Sequence, residues 1–275
     1  MSILQAFILG FIQGLTEFLP ISSSGHLILV PYIFNWDIQP LYFDVALHWG
    51  TLLAVSLFFW KDWKEIFSSL RKNWKIKSKQ DFMLYPVDMR LGILIGLGTI
   101  PAAIIGFIFQ DFIEEKLRSP YVVVVMLITL AGLMWWVENK PRLVRTFKNL
   151  KPLDGIFIGL SQALALIPGT SRSGVTITVG IFRGLSKEDA AKFSFLLSTP
   201  IIFGAGIYEI YKVFKTGFVG LEVIPLIVGF LTAAITGFLA IKFLMDYLKK
   251  QKLTIFIIYR VGLALLIMIL LLLNY

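Results

Sequence analysis

The chain has 275 residues, 57% hydrophobic and 16% charged, with a mean hydropathy of +0.80 and a formal net charge of +9. A soluble domain carries about 25% charged residues, so the composition excludes an ordinary soluble globule and points to an all-α polytopic membrane protein. There is no cysteine, which excludes disulfides, thiolate metal sites and cysteine nucleophiles. The basic residues fall between apolar runs, a pattern that encodes membrane topology and argues against nucleic acid as a partner. No long polar linker divides the chain, so residues 1–275 read as a single integral membrane domain. The N-terminal apolar run lacks a basic flank, and no cleavable signal is expected.

The first apolar region, about 2–34, is broken by Gln13-Gly-Leu-Thr-Glu17 and, past Pro20, by Ser22-Ser-Ser-Gly-His26. Each half is too short to cross a bilayer, which takes ~20 residues of helix. The pattern predicts a helix–turn–helix hairpin that enters the membrane and returns on the same side, irregular backbone at depth being tolerated where it lines a cavity or is packed in protein. Gln13 and Glu17 stand at i and i+4 and share a helix face. Glu17 reads as a divalent-cation ligand or a general base, against the plainer reading of an interfacial glutamate beside Pro20. Ser23 and His26 stand at i and i+3, a spacing that lets an imidazole take a seryl proton; the plainer His26 is a membrane-interface side chain.

A span is predicted near 42–60, with Asp44 and His48 toward one end, lining a cavity mouth or pairing with each other. Lys72 through Lys79 read as a solvated cytoplasmic loop, and spans follow near 91–110 and 120–138. The second broken region, 153–182, carries Pro168-Gly-Thr-Ser-Arg-Ser-Gly-Val-Thr176. Backbone N–H groups at such a turn, ahead of a helix starting near Val175, form an anion nest helped by the helix dipole. Gly169, Ser171 and Ser173 belong to that nest, Arg172 adds a fork of donors suited to phosphate oxygens, and Thr176 adds a hydroxyl one turn further on. A capped, packed turn with a salt-bridged arginine is the plainer alternative, but an arginine at membrane depth favours an anion site. Three spans follow, near 190–211, 223–246 and 253–273, and Arg260 in the last is expected to find a salt-bridge partner.

Placing residues 61–90 in the cytoplasm puts twenty of the 26 Lys and Arg residues on that side and only Lys116, Arg118, Lys212 and Lys215 outside. That asymmetry orients the chain with both termini outside. The first hairpin then enters from outside and the second from inside. An offset of 149 residues aligns Gly10 with Gly159, Gln13 with Gln162, Ser22 with Ser171, Ser24 with Ser173 and Gly25 with Gly174. The expected architecture is therefore six transmembrane helices plus two re-entrant helical hairpins in an inverted repeat, with repeats over about 1–138 and 153–273. Such a plan is also that of transporters, so a transporter or lipid flippase is the alternative to an enzyme.

The 168–176 string resembles the P-G-x-S-R-S-x-x-T motif of the bacterial undecaprenyl-diphosphate phosphatase, or bacitracin-resistance, family. Residues 13–26 resemble that family's other signature, an E/Q-x-x-x-E stretch followed by S-S-x-G-H, and the likeness extends through Phe193-Ser-Phe-Leu-Leu to Tyr259-Arg260. The resemblance implies a multi-pass enzyme of the bacterial inner membrane. Its expected reaction converts the C55 isoprenyl diphosphate to the monophosphate and inorganic phosphate, recycling a cell-wall lipid carrier and conferring bacitracin resistance. It implies a divalent cation, Mg²⁺ or Ca²⁺, with Glu17 and Gln13 as its metal positions, although Gln13 is a neutral ligand where the family often has Glu. It implies catalytic roles for Glu17, Ser23, His26 and Arg172, and substrate binding by Gly169, Ser171, Arg172, Ser173 and Thr176. The expected partners are the lipid diphosphate and the bilayer, with a homodimer as a compatible assembly. Attack by Ser23 and attack by an activated water both remain open at this stage.

Overall fold

The computed structural model describes residues 1–73, 82–141, 143–216 and 222–273; Lys75, Lys77, Lys79 and Arg142 lie outside them. The named elements among these residues are all helical. Among the described residues, six helices are long and apolar enough to cross a membrane: α3 (Leu41–Phe58), α5 (Val87–Phe112), α6 (Pro120–Asn139), α9 (Lys187–Thr216), α10 (Val223–Leu248) and α11 (Thr254–Leu272). They coincide with the six predicted spans. The charged segment after α3 opens with an amphipathic helix, α4 (Trp60–Asn73); beyond Asn73, the loop expected over Lys72–Lys79 lies outside the described residues. Trp63, Ile66, Phe67 and Leu70 recur at helical spacing, and Ile66 is buried against Gly92 of α5. The high charge of the segment hid that stripe.

The two broken apolar regions fold as helix–turn–helix pairs, α1 (Ile3–Phe18) with α2 (Ser23–Ile33), and α7 (Pro152–Leu164) with α8 (Arg172–Phe182). Helix α1 opens with a capping box, Ser2 Oγ accepting from the Gln5 amide and Gln5 Oε1 accepting from the Ser2 amide. At α7, Pro152 stands at the first helical position and Asp154 accepts from the Lys151 amide, an arrangement suited to the open N–H groups of a helix start. Helices α2 and α8 begin and end 149 residues apart, in register with the repeated sequence. Each is capped by a serine in the left-handed region, Ser22 at φ 76° and Ser171 at φ 71°. Each serine's Oγ accepts the amide three residues on, from Gly25 and Gly174. A left-handed L-residue costs roughly 1–2 kcal/mol, so both turns hold strain that the surrounding contacts must offset.

Those contacts cross between the halves. Helix α1 packs on α10, and α7 packs on α5. Both crossings are backbone-close: a Cβ on Gly10 would stand 2.5 Å from the Gly229 carbonyl oxygen, and Gly159 closes on Gly98 in the same manner. Small residues at such crossings let membrane helices approach closely. Helix α6 pairs with α11, α8 packs on α9, and Phe18 meets Phe195 edge-on at 5.2 Å in the central apolar cluster. At the other end of the second hairpin, Asp154 is fully buried between Arg145 and Arg183.

Arg260 ties the two turns together. It is fully buried on α11, and among the described residues it meets no carboxylate. The expected salt bridge is replaced by five backbone carbonyls. Arg260 donates to Pro20 in the first turn, to Gly169 and Thr170 in the second, and to Met126 and Leu127 of α6. Carbonyls at non-helical turns lack the partners a helix supplies, and a five-donor guanidinium is the side chain that can serve several at once. Gly169 takes part through its shape: its φ is +91°, and a Cβ there would press on Val123 of α6. Arg260→Met strands these carbonyls and is expected to lower stability by about 2–4 kcal/mol, read as a drop in the thermal unfolding midpoint in detergent.

Candidate active site

The last turn of α1 and the first turns of α2 and α8 converge on one carboxylate. Glu17 is only 6% exposed. Its Oε2 accepts from Ser23 Oγ at 2.6 Å and from Gln13 Nε2 at 3.1 Å, and its Oε1 accepts from Arg172 Nη2 at 2.8 Å. His48 of α3 brings Nε2 to 3.6 Å from Glu17 Oε2. Gln13 reaches Glu17 because the two share a helix face. Ser23 reaches it because the turn at Leu19–Ser22 reverses the chain and leaves Ser23 as the first residue of α2. Arg172 reaches it because it is the first residue of α8. Ser23 and Arg172 thus occupy equivalent positions, each directly after its left-handed serine cap.

The expected pairing of Ser23 with His26 is not formed. His26 Nδ1 donates to the Ser22 carbonyl at 2.6 Å, and Nε2 lies 2.7 Å from the Tyr259 hydroxyl. A ring that donates from Nδ1 to a carbonyl accepts at Nε2 when neutral, so Tyr259 donates to it. Both ring nitrogens are engaged, and the group that faces the Ser23 proton is Glu17. Asp44 and His48 do not pair side chain to side chain either. Asp44 accepts from Gln39 and Arg118, while His48 Nδ1 donates to the Asp44 backbone carbonyl.

The second string divides its labour differently from the expectation. Ser171 Oγ caps Gly174, and Ser173 Oγ donates to the Leu19 carbonyl of the first turn. Thr176 Oγ1 donates to the Arg172 carbonyl and bonds Ser194 of α9. Gly169 gives its carbonyl to Arg260. Helix α8 starts at Arg172, earlier than the predicted Val175. The anion nest is correspondingly narrower: Gly174 has its amide capped, and Arg172 is the member that presents a charged donor to the site. Its other terminal nitrogen donates to the Ser194 carbonyl, which fixes the plane of the guanidinium. Ser194 and Tyr259 were not singled out as site residues from sequence, and His48 was read only as lining a cavity mouth or pairing with Asp44. Ser194 and Tyr259 lie within stretches whose resemblance was noted, but their contacts depend on how α9 and α11 pack.

The chemistry available is that of a buried carboxylate with a hydroxyl on one side and a guanidinium on the other. Glu17 is placed to take the Ser23 proton, and Arg172 is placed to exchange the carboxylate for phosphate oxygens. No group of three or more His, Cys, Asp or Glu side chains suited to a metal ion occurs among the described residues. The oxygens that fit a divalent cation here are the Glu17 carboxylate and Gln13 Oε1, which is buried without a hydrogen-bond partner. Arg172→Met leaves the carboxylate unpaired and is expected to cost about 3–5 kcal/mol. Adding Glu17→Gln recovers part of that loss, with a coupling of about 1–3 kcal/mol in a double-mutant cycle; additive losses on thermal unfolding would show that the two side chains do not meet.

A family model described as bacitracin resistance protein BacA matches residues 6–266. A protein of Thermodesulfovibrio yellowstonii named undecaprenyl-diphosphatase is 47% identical over 97% of this chain and 96% of its own length. Proteins with the same name from Moorella thermoacetica and Pelotomaculum thermopropionicum are 46% and 42% identical, each over 97% or more of both chains.

Proposed function

The chain belongs to the bacitracin resistance protein BacA family, and from that premise we propose that it is an undecaprenyl-diphosphate phosphatase, releasing inorganic phosphate and the lipid monophosphate. The observation that carries this reading is the bridging of Ser23 and Arg172 by Glu17. On substrate entry Arg172 swings its donors from Glu17 to the terminal phosphoryl oxygens. Ser23 Oγ attacks the phosphorus and Glu17 takes the hydroxyl proton. The bridging P–O bond breaks, and undecaprenyl phosphate leaves with the bridging oxygen. Glu17 passes that proton to the departing phosphate oxygen; water then attacks the phosphoseryl phosphorus, Glu17 takes the water proton, and Ser23 Oγ leaves with it as the P–Oγ bond breaks, giving phosphate and restoring Ser23. Phosphoryl transfer demands positioning and charge neutralisation more than covalent assistance, and Arg172, held through one terminal nitrogen by the Ser194 carbonyl while the other turns to the substrate, supplies both. A divalent cation, Mg²⁺ or Ca²⁺, held by Glu17 and Gln13 Oε1 would neutralise further phosphate charge.

His26 keeps a positioning role in this reading. Its bonds to Ser22 and Tyr259 fix the start of α2 and therefore the Ser23 hydroxyl. The arrangement of charges supports a reading in which both termini lie on the outer side of the bacterial inner membrane and the hairpins are re-entrant from opposite faces, as inverted halves of one domain. The isoprenyl tail then stays in lipid while the diphosphate reaches the turns.

Purified protein in detergent is expected to release phosphate from a long isoprenyl diphosphate. Arg172→Met and Glu17→Gln should each lower kcat by about 10²–10³ or more, and acid quenching should trap phosphoserine in the parent protein but not in Ser23→Ala. Unchanged turnover in the Arg172 and Glu17 variants would refute the site, and lipid monophosphate crossing between leaflets without hydrolysis would favour the transporter reading.

A further inference from the structure

His48 has no part in the steps above, yet its geometry is that of a prepared ligand. Its Nδ1 donates to the Asp44 carbonyl one turn back at 2.7 Å, which leaves the lone pair of a neutral ring on Nε2. A metal-binding histidine almost always donates its other ring N–H to a carbonyl, carboxylate or water in this way. The carbonyl is itself well held, since the Asp44 carboxylate is tied to Gln39 at 2.7 Å and to Arg118 at 2.9 Å. Nε2 then faces Glu17 Oε2 at 3.6 Å. With the ring neutral, two acceptors opposed at that range repel unless a cation, a metal ion or a proton, lies between them. Ligands bound to one ion at about 2.0–2.2 Å sit roughly 3–3.5 Å apart, close to the separation found. A third donor is at hand, because Gln13 Oε1 is buried and unpartnered while its Nε2 rests on the same carboxylate oxygen.

We infer that His48 is a nitrogen ligand of a divalent-cation site shared with Glu17 and Gln13, and that this site favours a transition cation such as Mn²⁺ over Ca²⁺. Imidazole suits first-row transition ions, whereas Ca²⁺ takes oxygen ligands. One carboxylate and one neutral amide make a weak all-oxygen site, and the imidazole shifts its selectivity. The choice of cation rests on the phosphatase reading only in that the same pocket would receive the diphosphate.

The chain contains two histidines, and His26 has both ring nitrogens occupied, so the origin of a nitrogen signal can be assigned. Pulsed electron paramagnetic resonance of Mn²⁺ bound to the full-length protein in detergent is expected to show modulation from a coordinated imidazole nitrogen. The signal should persist in His26→Gln and vanish in His48→Gln. Loss of a mere supporting partner lowers metal affinity about 10–100-fold, so loss of the ligand itself should weaken Mn²⁺ binding at least about tenfold, with a smaller change for Ca²⁺. Absence of the modulation in the parent protein, or its survival in His48→Gln, overturns the assignment; absence in the parent points to a proton between His48 and Glu17. Phosphate release is measured on the same samples. Hydrolysis without nitrogen coupling removes the ligand and leaves the phosphatase standing, whereas coupling without hydrolysis of the isoprenyl diphosphate supports the ligand and removes the phosphatase.

Discussion

A buried carboxylate that must be neutralised by donors from both halves of the chain governs this structure. Glu17 would be costly alone at its depth, and its donors come from α1, α2 and α8. Replacing such a network with apolar residues of similar volume is often neutral or stabilising, so stability alone does not account for it. What the network provides is a hydroxyl and a guanidinium held on opposite oxygens of one base, with both donors placed by helix starts rather than by long flexible segments.

The supports of that arrangement lie behind it. Arg260 collects carbonyls from the two turns and from α6, so the turns cannot separate without leaving acceptors unpaired. Ser173 reinforces the same junction by donating to Leu19 across the halves. The left-handed caps at Ser22 and Ser171 spend conformational energy to aim the residue that follows each of them. The same capped helix start thus occurs twice, with Ser23 following the cap in one and Arg172 in the other.

Much of this was legible in the sequence. The six spans follow from apolar length, and the shared register of the two hairpins follows from the serines and glycines at matched positions. Glu17 and Arg172 announced themselves as charges within apolar runs. Other features depended on distance across the fold. The i, i+3 spacing placed His26 near Ser23 in principle, but a spacing cannot show that the ring would be drawn to Tyr259 from a helix more than two hundred residues away. Arg260 was expected to need an anion, because turn carbonyls leave no mark in a sequence. The hydroxyls of Ser171, Ser173 and Thr176 read as phosphate contacts, since a polar motif does not reveal which of its members cap the backbone. Helix α4 lies in a segment that was counted only for its charge, although its apolar spacing was present.

The decisive question is whether Ser23, with Glu17 as its base, makes the bond to phosphorus. The stereochemical course at a terminal thiophosphoryl group made chiral with oxygen isotopes answers it directly. Attack by Ser23 followed by water involves two in-line displacements and predicts retention of configuration at phosphorus; inversion would show that water attacks in a single step and would contradict the serine nucleophile.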